Sequence, residues 1–158
     1  QLLRRGRLDA AWVPEPWASR MVAEGGCERV LDEATLWEGG AFPTTAMVAS
    51  IDAMDRVGDR IHELKSLFEE DTEAMRRPDA AARANAALAK AVTKPLSPAV
   101  LADAWSRLTF TTDPLEGALT KVAENMGLIG YLPPAHAIGG LVASADDLRR
   151  MAAKARPT

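Results

Sequence analysis

The chain has 158 residues, of which 47% are hydrophobic and 26% charged, a balance typical of a folded globular domain rather than a disordered chain. Its formal net charge of -3 argues against a general binder of nucleic acid or of anionic membranes. The single cysteine, Cys27, excludes an internal disulfide and a thiol-rich metal site, and no run of 18 apolar residues predicts a membrane span.

The chain begins at Gln1, without a methionine and without the charged and apolar pattern of an export signal. We therefore expect the natural protein to have a portion before residue 1, and any export signal to lie in that portion. Residues 2–5 are typical of the last turn of a helix that stops at Gly6.

Three short segments with apolar or β-branched residues predict strands, at residues 8–13, 28–32 and 44–50. The first strand leads into Pro14-Glu15-Pro16-Trp17 and then into a helix that ends at Gly25-Gly26. In open α/β sheets, ligands bind at the carboxyl ends of strands. An acidic and an aromatic side chain at such an end therefore indicate a candidate ligand site.

From about residue 51 onward the sequence predicts almost only helices, and this change in character is a candidate boundary. Ser97-Pro98 is typical of a helix start, and Asp113-Pro114 followed by Glu116 predicts a capping box. The expected helices cover residues 54–75, 80–92, 97–108, 114–126 and 144–154.

A search for catalytic and metal chemistry finds no candidate residues. His62 and His136 lie far apart, and neither has a ligand partner at helical spacing. The chain also has no glycine-rich phosphate loop and no GxSxG nucleophile motif. We therefore expect no catalytic residue, no metal site and no cofactor, and we expect that the protein is not an enzyme.

Four tryptophans divide into two groups. Trp12 and Trp17 flank the proline turn and are candidates for the lining of a ligand cleft, whereas Trp37 and Trp105 are expected to pack in a core or an interface. Glu15 has two interpretations that the sequence leaves open: it caps the helix that follows it, or it contacts a ligand.

Three strings carry a family resemblance: LLRRGRLDAAWVPEPWASRMVAEGG, FPTTAMVAS and LSPAVLADAWSRLTFTTDPLEGALTKVAENMGLIGY. In this order they resemble the C-terminal half of solute-binding proteins of ABC importers, of the aliphatic-sulfonate, nitrate and taurine type. The resemblance covers nearly the whole chain. It implies an α/β, helix-rich fold that forms the C-terminal part of a bilobed type II periplasmic-binding protein, with a few short strands.

The resemblance also implies a division into lobes. Residues 1–42 would end the second lobe, residues 43–52 would form the hinge or crossing strand, and residues 53–158 would supply helices of the first lobe. Members of the family are about twice as long, so the sheet of the first lobe would lie outside this sequence. The implied function is capture of a small organosulfonate or similar anion for ABC permease subunits, in the periplasm or outside the cell at the membrane.

For the site, the resemblance implies that most of the anion's donors belong to the other lobe. Glu15 would suit an amine or a hydroxyl of the ligand, Trp17 and Trp12 would pack on its alkyl part, and Thr44 and Thr45 would add hydroxyl donors. Two alternatives remain. The chain is a self-standing helical interaction domain or degenerate fragment that binds no ligand, or it belongs to the thiamine-pyrimidine synthesis branch, which would require a cysteine-rich iron site.

Overall fold

The computed structural model describes residues 2–57, 60–92, 95–133 and 141–142. Within these ranges all regular structure is helical, and none of the helices has the length and apolar character needed to cross a membrane. Short 3-10 turns lie at Leu3–Arg5, Glu33–Leu36 and Glu38–Gly40. The α-helices are α1 (Trp17–Gly25), α2 (Ile51–Val57), α3 (Arg60–Met75), α4 (Ala80–Val92), α5 (Pro98–Ser106) and α6 (Glu116–Leu128).

The prediction of strands at 8–13, 28–32 and 44–50 is wrong, because no residue in these segments is part of a β-ladder. An extended segment becomes a strand only when its backbone pairs with a neighbouring strand. Two β-branched residues of these segments are strongly exposed, Val30 at 93% and Val48 at 85%. The helix-rich part of the expected fold class is therefore confirmed, whereas its α/β part is not found in the described residues.

The helix starts and stops follow local sequence signals in most places. Gly26 ends α1 in the left-handed region, with φ of 67°, and its amide donates to the carbonyl of Met21. A side chain is strained in that conformation, which explains why a glycine stops the helix there. Pro98 opens α5 directly after Ser97, as predicted. The predicted helix at 144–154 and His136 lie outside the described residues.

The capping box expected at Asp113 is wrong, because α6 begins at Glu116 rather than at residue 114. The Oδ1 atom of Asp113 accepts a hydrogen bond from the amide of Leu115 at 2.9 Å, two residues further along. This local turn competes with a helical cap. It is accompanied by a left-handed backbone at Leu115, with φ of 55°, which delays the helix.

Asp113→Ala is expected to lower the free energy of unfolding by about 1 kcal/mol, because Leu115 loses the bond that supports its unfavourable backbone conformation. Urea unfolding followed by circular dichroism measures the change. Asp113→Asn keeps an acceptor oxygen and should unfold like the wild type. Equal unfolding curves for Asp113→Ala and the wild type would contradict this role of the carboxylate.

Two compact units make up the chain. The first comprises Gln1–Asp32 and Thr72–Phe110, and in it α5 packs against both α1 and α4. The buried side chains among its described residues are small, which allows the helices to approach closely. They are Ser19, Ala80, Val100 and Ala104.

In the first unit, side-chain contacts also fix the segments that precede and follow α5. The side-chain amide of Asn85 on α4 accepts a hydrogen bond from the backbone N–H of Leu96 at 2.8 Å and donates one to the carbonyl oxygen of Leu96 at 3.1 Å. Trp105 on α5 contacts the ring of Phe110, with centroids 5.0 Å apart. The segments on either side of α5 are therefore anchored by specific contacts.

The second unit comprises Glu33–Asp71 and Thr111–Thr158. In it the ring of Trp37 stacks on that of Phe42, with centroids 4.6 Å apart. Each of the two tryptophans that were expected to pack thus contacts an aromatic ring. The division into lobes at 1–42, 43–52 and 53–158 stays a prediction.

Candidate functional site

Residues 12–17 form the tryptophan turn, which runs from an extended segment into α1. Both indoles are open to solvent, with Trp12 at 67% and Trp17 at 54% exposure. The amide of Trp17 donates to the carbonyl of Pro14 at 3.0 Å and so closes the turn. The guanidinium of Arg20 lies 5.5 Å from the centroid of the Trp17 ring, within the range of a cation–π contact.

The side chain of Glu15 lies against the first turn of α1, the helix that follows it. Its Oε2 atom accepts hydrogen bonds from the amide of Ser19 at 3.0 Å and from the hydroxyl of Ser19 at 2.6 Å. Amides in the first turn of a helix have no partner within the helix, and the helix dipole favours a negative charge there. The side chain of Glu15 is only 9% exposed. Glu15 therefore caps α1, while its contact with a ligand stays a prediction.

Arg29 is the charged partner of Glu15. Its Nη2 atom lies 2.9 Å from Oε1 of Glu15, 3.2 Å from Oδ2 of Asp103 and 3.4 Å from Oγ of Ser19. Oε1 of Glu15 has no aligned hydrogen-bond donor among the described residues, so its contact with Arg29 is an ion pair held by charge. One guanidinium nitrogen thus contacts the turn, α1 and α5.

Asp103 extends these contacts along α5. Its Oδ1 atom lies 3.2 Å from Nε of Arg107, and Nη1 of Arg107 lies 2.8 Å from Oδ2 of Asp32. Three carboxylates and two guanidiniums therefore alternate in one chain of contacts, in which each cation lies between two anions. We call this set the charge cluster: Glu15, Arg29, Asp103, Arg107 and Asp32.

The surroundings of Asp103 favour its ionised form. The Ser19 hydroxyl, whose one proton either Glu15 or Asp103 can accept, lowers the pKa of Asp103 most, and the guanidiniums of Arg107 and Arg29 lower it further. Partial burial acts in the opposite direction. For Arg107, burial is the largest single effect and would lower its pKa. The nearby carboxylates of Asp103 and Asp32 together outweigh burial, so the pKa of Arg107 is raised.

The lowered pKa of Asp103 predicts a loss of stability in acid. A carboxyl whose pKa is lower in the folded state contributes stability above its unfolded pKa of about 4, and this contribution disappears as the pH falls. Because Asp103 is 38% exposed, solvent screening keeps the effect small. Urea midpoints should show Asp103→Asn less stable than wild type at pH 7, with the gap narrowing toward pH 3.

A matched control is Asp79→Asn, since Asp79 is exposed and lies 4.0 Å from its nearest cation, Arg83. Its midpoint should differ little from that of the wild type at either pH. A gap for Asp103→Asn that is constant from pH 7 to pH 3 would contradict the role of the Asp103 charge.

Thr44 and Thr45 lie in the second unit, in a non-helical segment where both are exposed. Their role as hydroxyl donors to a ligand stays a prediction. Among the described residues, no group of three or more His, Cys, Asp and Glu side chains could hold a metal ion. Cys27 is free, with its Sγ atom 3.8 Å from the carbonyl oxygen of Gly25.

Sequence reasoning missed Ser19, Arg29 and Asp103. Ser19 follows Glu15 by four residues at a helix start, and Asp103 precedes Arg107 by four on a predicted helix, so local spacing could have indicated both pairs. Arg29 and Asp103 are 74 residues apart, and no local pattern joins them.

Comparison with known proteins places the chain in a family. The model of the NMT1-like family matches residues 1–93, more than half of the chain, and this family lies in the group of type II periplasmic binding proteins and ABC-transporter substrate-binding proteins. No curated protein and no solved structure gives a significant match. The matched range includes the tryptophan turn and Arg29. The chain belongs to the NMT1-like family.

Proposed function

We propose that the protein is the substrate-binding component of an ABC importer and captures a small organic anion, an aliphatic sulfonate above all, for permease subunits. Family membership points to substrate binding for transport. The proposal includes a bilobed type II fold, a location in the periplasm or outside the cell, and binding without catalysis.

The observation that carries the proposal is the exposed indole of Trp17 at the start of α1. An indole that stays open to solvent can bury its face against the alkyl part of a ligand. The guanidinium of Arg20 beside its ring places a positive charge next to that apolar face. An apolar surface and a neighbouring cation suit a ligand with an alkyl body and an anionic head.

The proposal also includes the other predicted site residues. Trp12 adds a second exposed indole to the same turn. Thr44 and Thr45 would add hydroxyl donors, and the remaining donors for the anion would belong to the other lobe. Glu15 would contact a hydroxyl or an amine of the ligand, in addition to the contacts that its oxygens make with Ser19 and Arg29.

Titration with hexanesulfonate and with taurine, followed by calorimetry, tests this function. Trp17→Ala should weaken the binding of hexanesulfonate about tenfold, since truncation of an aromatic anchor typically costs about 1–2 kcal/mol. Tyr131→Ala removes another exposed aromatic ring, outside the turn, and should leave the affinity unchanged. The absence of binding for both sulfonates at millimolar concentration would refute the proposal.

A second function is a self-standing helical interaction domain. It is favoured by an exposed apolar patch where α6 ends, made of Leu128, Ile129 and Tyr131. This alternative expects a monodisperse protein that unfolds cooperatively and shows no response to either sulfonate. The same calorimetric titration therefore separates the two functions.

A further inference from the structure

Arg29 occupies a position that the proposed function does not explain. It lies in the non-helical segment that follows α1, and its side chain reaches back to Glu15 in the tryptophan turn. The same Nη2 atom contacts Asp103 on α5. The turn therefore has a connection through Arg29 to a helix that lies far away in the sequence.

The geometry of Glu15 indicates what this connection does. Glu15 is only 9% exposed, and both carboxylate oxygens are engaged, one with Ser19 and the other with Arg29. The two indoles beside it, Trp12 and Trp17, are more than half exposed. The carboxylate is thus the inner, fixed part of the turn, while the indoles are its outer part.

Arg107 provides a comparison within the same charge cluster. It also contacts Asp103, but its second partner is Asp32 instead of Glu15. Both arginines link α5 to the N-terminal part of the first unit, yet Arg29 alone of the two contacts the tryptophan turn. Any effect specific to the turn should therefore follow Arg29 and not Arg107.

We propose that Arg29 is a positioning residue: through Glu15 it ties the tryptophan turn to α5 and so sets the placement of Trp12 and Trp17 before a ligand arrives. Its consequence for ligand affinity rests on the proposed function, but the positioning itself does not. A site whose side chains are already placed loses less conformational freedom on binding. Loss of the contacts of Arg29 with Glu15 and Asp103 should therefore weaken ligand binding without removing any contact to the ligand.

The experiment uses protein labelled with 5-fluorotryptophan, in which each of the four indoles gives its own fluorine NMR signal. Single Trp→Phe variants assign the signals. The signal of Trp37, which stacks on Phe42, serves as the internal reference. Circular dichroism selects a temperature at which every variant is fully folded, so that a general loss of stability does not move the signals.

Arg29→Met should shift and sharpen the signals of Trp12 and Trp17 and leave that of Trp37 in place. Arg29→Lys keeps a positive charge at this position, so its Trp12 and Trp17 signals should lie closer to those of the wild type than the signals of Arg29→Met do. A side chain that acted only by packing would not require this partial recovery. Arg107→Met, the matched control, should leave the Trp12 and Trp17 signals unchanged. Hexanesulfonate should bind Arg29→Met about tenfold more weakly than the wild type.

If Arg29→Met does not fold because Glu15 is left as a buried unpaired charge, the double variant Glu15→Gln/Arg29→Met removes both charges together. It should show the same movement of the Trp12 and Trp17 signals. Unchanged signals in the double variant would overturn the positioning role, and so would an equal shift in Arg107→Met.

The two proposals fail in different ways. If the wild type binds neither hexanesulfonate nor taurine but the signals move as expected, Arg29 positions the turn and the sulfonate function is wrong. If the sulfonates bind and Arg29→Met leaves both the signals and the affinity unchanged, the function stands and the positioning role is overturned.

Discussion

Glu15→Ala is expected to lower the free energy of unfolding by about 3 kcal/mol, because it removes the acceptor for two groups of Ser19 and the nearest carboxylate of Arg29. The amide and the hydroxyl of Ser19 are buried, so water replaces the lost acceptor poorly. The negative charge at the start of α1 is lost as well. Urea unfolding at pH 7 measures the total effect.

Glu24→Ala is the matched control on the same helix. Glu24 pairs with Arg20 at 3.5 Å, one helical turn away, and its side chain is about half exposed to solvent. Such pairs contribute little, so the control should lose less than about 0.5 kcal/mol. If Glu15→Ala and Glu24→Ala unfold at the same urea concentration, the capping and pairing of Glu15 do not stabilise the protein.

Ser19→Leu is expected to have the largest effect on stability, about 4 kcal/mol. Ser19 is 1% exposed on α1, the helix that packs against α5, so a larger side chain has no room without displacement of the helices. The substitution also removes the hydroxyl that donates to Glu15, and a hydrogen bond to a charged group contributes about 1.5–3 kcal/mol. A chemical unfolding curve gives the sum.

Ser19→Ala separates the two causes, because it removes the hydroxyl without adding volume. It should cost about 2 kcal/mol, roughly half of the loss for Ser19→Leu. Ser66→Leu places the same side chain at an exposed position of α3 and should be nearly neutral. A Ser19→Leu protein as stable as Ser66→Leu would show that α1 and α5 are not tightly packed at this point.

The helices could be predicted because their signals are local. A proline directly after a serine marks the start of α5, and a glycine in the left-handed region ends α1. The strand prediction failed for the complementary reason: Val30 and Val48 have the side chains of a strand, but pairing depends on a partner that their own sequence does not specify. At Asp113, two local signals competed, and the turn prevailed over the capping box.

The candidate site divides in the same way. The tryptophan turn could be recognised because its prolines, glutamate and tryptophans are adjacent in the sequence. The role of Glu15 could not be decided from the sequence, since both interpretations require the same residue at the same place. The structure shows the capping contacts of Glu15 with Ser19, whereas its contact with a ligand stays a prediction. The contacts of Arg29 with Glu15 and Asp103 depend on the packing of α1 and α5. Long-range packing leaves no trace in residue spacing.

The ion pairs at Asp103 and Asp32 also have a topological consequence. The first unit is discontinuous: the chain leaves it at Asp32, returns at Thr72, and is joined across that gap by the Arg29–Asp103 and Arg107–Asp32 pairs. The entropic cost of loop closure rises only slowly with length, so the first unit should tolerate added residues in the exposed segment 44–50, which lies between its two parts in the sequence. A single proteolytic cut there should leave two fragments that stay associated through α1 and α5.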